Sequence, residues 1–160
     1  MTEELSRYIE DVALFFEELG LPRIAGRIVG HLLVCDPPHR TAAQLIRELR
    51  ASKASVSQMT RYLIQAGLLE RFAVRGERAT LFRITDDGFE ALFGREITTL
   101  TAFGDIAERG IGLVGPDEGA DRLRKLRAFF RFFEEATPEL LERWRDERDA
   151  RIAAEFARER

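Results

Sequence analysis

A break of only two residues, Ala51 and Ser52, separates two helical patterns in the middle of this 160-residue chain, and it constrains the fold more than any other feature. The first pattern, "TAAQLIRELR" at 41–50, is capped by Thr41 and offers Ala42, Leu45, Ile46 and Leu49 for burial. The second begins at the Ser52 cap and stops at Gly67, a residue suited to a helix end. Two β-rich runs follow at once, "LLERFAVR" and "ATLFRIT". They flank "RGER", in which Gly76 and Glu77 make a tight hairpin turn.

The helix after Ser52 opens unusually, with Ser52, Lys53, Ala54, Ser55, Ser57 and Gln58 in its first two turns. Serines are mediocre helix formers, and nothing in that patch is large enough to drive burial. Ser52, Val56, Met59 and Leu63 follow a 3-4 spacing and are expected to face the core. The opposite face is then Ala54, Ser57, Gln58, Arg61 and Gln65. Small at its N-terminal end and longer beyond, such a face suits close approach to the major groove of DNA, with Ser57, Gln58 and Arg61 as base readers. Thr41, Ser52, Lys53 and Ser55 cluster at helix N-termini, where hydroxyls and N–H groups suit phosphate oxygens. Arg75 and Arg78 bracket the hairpin turn and are placed to grip phosphate or enter a minor groove.

The charge distribution agrees. The net charge of −3 conceals a partition: residues 23–84 hold 11 basic and four acidic side chains, a net of +7, and the rest carries −10. A basic middle between acidic ends implies a local polyanion site. Helix, short turn, helix and hairpin is the order of a winged helix-turn-helix, so the expected fold is mainly α with a small β-hairpin. Double-stranded operator DNA is the expected partner.

The flanks read as helices. Leu5, Tyr8, Ile9, Val12, Leu14, Phe15, Phe16 and Leu19 recur mostly at helical spacing over 3–19. Gly20 ends that helix and Pro22 starts the next, "RIAGRIVGHLLV", whose Gly26 and Gly30 lie four apart and let a neighbouring helix approach. "CDPPH" breaks it. Thr85 opens a long helix over 85–109, "RGIGLVGPDEG" reads as a connector, and two helices close the chain at 119–135 and 138–158. The expected division is an N-terminal dimerisation helix (1–19), a DNA-binding domain (20–88) and a C-terminal helical dimerisation region (89–160).

Ten of the 12 phenylalanines lie outside 23–84, and "AFFRFF" spreads its rings over a helical arc of about 160°, too wide for one contact. Core and dimer packing explain this stripe. Phe129, Phe130, Phe133 and Trp144 are also the candidate effector pocket, for a small molecule of unidentified chemistry that an organic cation would fit through cation–π contact.

Other classes find less support. The chain has no Walker-type loop, HExxH or paired cysteines, so neither an enzyme nor a cofactor is expected. His31 and Cys35 lie four apart with His39 beyond the prolines, the alternative of a metal- or thiol-responsive sensor. A winged helix used for protein contact is a further alternative. One cysteine excludes an internal disulfide, no run approaches a membrane span, and the acidic N-terminus lacks signal-peptide character. A cytoplasmic location is expected.

The stretches "GLPRIAGRIVGHLLV", "TAAQLIREL", "SKASVSQMTRYLIQAGLLER" and "RGERATLFRITDDG" together resemble the GbsR-type branch of the MarR-like winged-helix regulators, over about residues 19–93. The resemblance implies a homodimeric cytoplasmic repressor or activator joined through its terminal helices. Some relatives respond to choline or similar osmolytes, but no ligand residue carries over.

Overall fold

The computed structural model describes residues 2–73, 79–114 and 118–158, with side chains at 118 and 119 excepted. It contains two compact units, Met1–Leu92 and Phe93–Arg160.

In the first unit, α1 (Glu3–Glu18) packs against α2 (Arg23–Val34), and Gly26 and Gly30 are why they meet closely. A Cβ at Gly26 would lie 2.6 Å from the Ala13 Cα and 2.7 Å from the Val12 carbonyl oxygen. Glu10 on α1 pairs with Arg23 at 2.9 Å and Arg27 at 2.8 Å on α2. Ile9, Ala13 and Phe16 are buried, whereas Leu5, Tyr8, Leu14, Phe15 and Leu19 stay exposed. The N-terminal helix is therefore part of this unit's core on one side and apolar to solvent on the other.

Next come β1 (Arg40–Thr41), α3 (Ala42–Glu48), α4 (Lys53–Gln65), β2 (Leu69–Phe72) and β3 (Leu81–Ile84). The sheet is antiparallel in the order β1-β3-β2, with Arg40 opposite Phe82 and Leu69 opposite Ile84. Sequence reading found the hairpin strands but missed β1, since two residues give no alternation to detect. The core joins Ile28, Val29 and Leu32 of α2 to Leu45 and Leu49, to Val56, Met59 and Leu63 of α4, and to Leu68, Leu69 and Phe82. On α3, Ala42 and Ile46 are only partly buried. Ser52, expected in the core, is exposed, and Thr60 is buried instead. The exchange has a cause: the Thr60 hydroxyl donates to the Val56 carbonyl at 2.8 Å, which satisfies it inside.

The C-terminal elements correct three expectations. Thr85 does not begin a helix, because its hydroxyl donates to the Gly67 carbonyl at 2.6 Å and ties the end of β3 to the end of α4. The long helix is two, α5 (Gly88–Thr101) and α6 (Phe103–Leu113). Thr98, Thr99 and Thr101 each donate a hydroxyl to a carbonyl one turn back, which competes with the helix ladder just before the break at Ala102. "RGIGL" is helical rather than connecting, with Gly110 in α6 because a Cβ there would lie 3.0 Å from the Leu123 Cδ1. Residues 119–158 belong to one helix, α7 (Glu118–Arg158), running through Pro138. Proline removes one ladder bond, yet the Thr137 hydroxyl donates to the Phe133 carbonyl at 2.6 Å, and Glu147 holds both Arg143 and Arg151 beyond it.

Candidate nucleic-acid interface

α3 and α4 are set by their caps. The Thr41 hydroxyl accepts the Gln44 N–H at 3.2 Å, while the Gln44 side chain accepts the Thr41 N–H at 2.7 Å, a reciprocal capping box. Ser52 accepts the Ser55 N–H at 3.1 Å and shares a hydroxyl hydrogen bond with Ser55 at 2.8 Å. These hydroxyls thus hold the two helix starts, and Lys53 stands exposed beside them.

α4 separates its faces cleanly. Val56, Met59, Thr60 and Leu63 are buried. Ala54, Ser57, Gln58, Arg61 and Gln65 are all exposed. The Arg61 Nε donates to the Ser57 carbonyl at 3.2 Å, which lays the guanidinium stem along its own helix. The face offers a small surface of Ala54 and Ser57 beside two long polar side chains. Arg75 and Arg78, with the turn at Gly76 and Glu77, lie outside the described residues. The strands leading to them are anchored by the Arg83–Glu70 pair and by the Arg83 guanidinium 4.8 Å from the centre of the Phe72 ring.

Behind α3 sits a charged hub that sequence reading did not anticipate. Glu48 accepts from the His31 Nε2 at 2.8 Å, the Arg40 Nε at 3.0 Å and Arg47 at 2.9 Å. Arg40 also donates to the Pro37 and His39 carbonyls, so the "CDPPH" loop and α3 are fixed together. Burial pushes the Glu48 carboxyl up, but the hydrogen bonds from Arg40, His31 and Arg47 outweigh it and hold it below the usual carboxylate range. A carboxyl held low stabilises the fold fully above its ordinary value near 4.5, and that stability is lost as pH falls through the lowered value. Glu48→Gln should therefore cost about 1–3 kcal/mol at neutral pH by leaving partly buried cations unpaired. Its loss of stability in acid should be shallower than that of the parent chain in urea melts across pH.

The sensor residues are otherwise engaged. His31 is buried against Glu48, His39 stacks edge-on against Phe72, and Cys35 lies against the carbonyls of Leu32, Pro37 and His39. Burial raises the thiol's pKa, with the charge of Arg40 only partly opposing it, so a reactive thiolate is disfavoured. Among the described residues, no three His, Cys, Asp or Glu side chains are grouped to hold a metal. A cleft of about 940 Å³ in this unit is bordered by the hub and by Leu5, Arg27 and Arg50.

In the second unit, Phe129 meets Phe130 and Phe133 at ring-centre distances of 5.3 and 4.9 Å, and Phe130 packs on Phe103 at 5.6 Å. Trp144 is half-exposed and makes no ring contact with this cluster. A groove of about 620 Å³ in the same unit is lined by Gly94, Thr98, Glu134, Pro138, Leu141 and other residues of α5 and α7, and by none of these rings.

A capped helix pair whose second helix exposes a polar, cationic face, followed by a two-stranded extension, defines a winged helix-turn-helix DNA-binding protein. Residues 19–79 match the MarR family and residues 87–147 match the MmpR5-like MarR family transcriptional regulators. The chain belongs to this family, as an MmpR5-like member, and the family consists of transcriptional regulators rather than enzymes. It is 34% identical over 143 residues to the HTH-type transcriptional regulator MmpR5 of Mycobacterium tuberculosis, spanning 88% of this chain and 87% of that one. A crystal structure of a transcriptional regulator is 34% identical and superposes with a TM-score of 0.77 over 89% of this chain and 99% of the other. No helix among the described residues is long and apolar enough to cross a membrane.

Proposed function

We propose that this regulator is a cytoplasmic homodimeric repressor, responsive to a small effector, that reads its operator with α4. The observation carrying this reading is the exposed face of Ala54, Ser57, Gln58 and Arg61 above a fully buried opposite face, within a segment of net charge +7. Ser57, Gln58 and Arg61 read base edges; Thr41, Ser52, Lys53 and Ser55 meet phosphates, as do Arg75 and Arg78 on the wing.

Dimerisation is assigned to residues 1–19 and 89–160, around a reading head at 20–88. Supporting it are apolar side chains left open to solvent: Phe15 and Leu19 at 57% exposure, Leu100 at 56% and Phe132 at 64%. A bound dimer over a promoter blocks transcription by occupancy. The aromatic cluster of Phe129, Phe130 and Phe133, with Trp144, remains the candidate effector seat. The GbsR-type character of "GLPRIAGRIVGHLLV" belongs to this reading as a trait of the α2 region, within a chain that is MmpR5-like.

Arg61→Ala and Gln58→Ala are expected to relax sequence preference, costing about 1–3 kcal/mol at particular base pairs while sparing non-specific binding. Binding measured against single-base variants of a selected operator checks this. Equal losses on every sequence would remove base reading from α4.

A further inference from the structure

Three helices of the Met1–Leu92 unit end in the same backbone motif, and one is built from the wrong residue. After α1, α3 and α4 an amide reaches back across the last turn: Leu21 to the Phe16 carbonyl at 3.0 Å, Ala51 to Ile46 at 3.1 Å, and Leu68 to Leu63 at 3.0 Å. The amide before it closes an inner bond in each case: Gly20 to Glu17, Arg50 to Arg47, Gly67 to Ile64. This geometry requires a left-handed residue at the position just past the cap. Gly20 and Gly67 supply it at φ 79°, as glycine does without steric cost. After α3 the position is held by Arg50 at φ 50°, and among the described residues no other non-glycine has a positive φ.

An arginine there places its Cβ too near the following carbonyl oxygen, so local folding alone favours glycine. Packing gives no reason for the exception, since Arg50 is exposed. Its guanidinium has no ion pair or hydrogen bond among the described residues, whereas the neighbouring Arg40 and Arg47 are both held by Glu48. Arg50 stands two residues before the Ser52 cap of α4, in the turn that joins the two helices of the pair.

We infer that Arg50 is a positioning residue for DNA: its guanidinium holds a backbone phosphate beside the N-terminus of α4, and the strained conformation is kept for that contact. The inference rests on α4 as the reading helix. Arg50 is exposed at the rim of the cleft beside Glu48, and a bidentate donor without a protein partner among the described residues suits phosphate oxygens. Sequence alone gives no signal for this, because Arg50 looks like the last residue of an ordinary basic helix end.

The test uses the full chain with Arg50→Gly and Arg50→Lys, measured by thermal melting and by anisotropy titration on a selected operator and on random duplex over a range of salt. Arg50→Gly should raise the melting temperature by about 1–4 °C as strain is relieved. It should also weaken both duplexes by about three- to tenfold at low salt and lower the salt slope by about one per protomer. Arg50→Lys should keep the slope. Arg50→Gly binding both duplexes as the parent chain does, at every salt, overturns the inference. So does a loss of binding that accompanies a fall in melting temperature, or one that leaves the slope unchanged. Arg61→Ala on the same operator separates the two readings. If it leaves sequence preference intact, the assignment of α4 fails; if it relaxes preference while Arg50→Gly binds normally, only the role of Arg50 fails.

Discussion

Gly26→Leu is expected to destabilise the DNA-binding unit by about 4 kcal/mol or more. Even a single Cβ at this position would lie 2.6 Å from the Ala13 Cα, 2.7 Å from the Val12 carbonyl oxygen and 2.9 Å from the Phe16 Cβ. Two of those three atoms are backbone, so no side-chain rotation makes room. α1 must move off α2, and Phe16, 1% exposed, leaves the core with it. Overpacking alone costs about 1–3 kcal/mol, and loss of the α1–α2 contact raises this to about 4 kcal/mol or more, a large share of a domain's usual stability. Gly26→Ala should be destabilising to a lesser degree, because it forces only the Cβ and none of the rest of a leucine side chain between the helices. Gly30→Ala is the control. Its Cβ would meet the Val12 Cβ at 3.1 Å and the Ile9 Cα at 3.3 Å, a fit that small shifts can accept. Urea melts should rank the three as Gly30→Ala, Gly26→Ala, Gly26→Leu in order of rising damage.

The second large effect follows from the same helix pair. Removing residues 1–19 should abolish folding of the reading head as well as association. If α1 were only an arm for a second copy, the shortened chain would melt sharply as a folded monomer. Yet Ile9, Ala13 and Phe16 are buried within this unit, against an α2 whose Ala25, Ile28 and Val29 are at 0% exposure. Each large side chain stripped of cover costs about 1.5–3 kcal/mol, and several are lost together. The expected product is an aggregating chain without a cooperative transition. A soluble fragment with a sharp melt and intact DNA binding would confine α1 to association.

How much of this was legible beforehand depended on how local the controlling interaction is. The Thr41 and Ser52 caps, the Gly67 stop and the exposed face of α4 were readable because each is set within a turn or two of chain. The close approach at Gly26 and Gly30 was also readable, although its partner α1 was not. The Glu48 hub was invisible: it gathers His31, Arg40 and Arg47 from α2, β1 and α3, and no spacing announces such a meeting. Proline at 138 misled for the opposite reason. A local rule predicted a break, but α7 runs on through Pro138, with the Thr137 hydroxyl on the Phe133 carbonyl and Arg143, Glu147 and Arg151 paired one and two turns further on. Thr85 shows a competition of the same kind, since its hydroxyl is taken by the Gly67 carbonyl and opens no helix.

Two copies of α4 are proposed to read DNA together, and footprinting on duplex selected by the purified chain puts this to the test. The expected footprint is a pseudo-palindromic site with two protected half-sites about 34 Å apart, one helical turn, on the same face of the duplex. Protection should be lost in parallel at both half-sites as salt rises. A single asymmetric site of a few base pairs, protected at a stoichiometry of one chain per duplex, would contradict it.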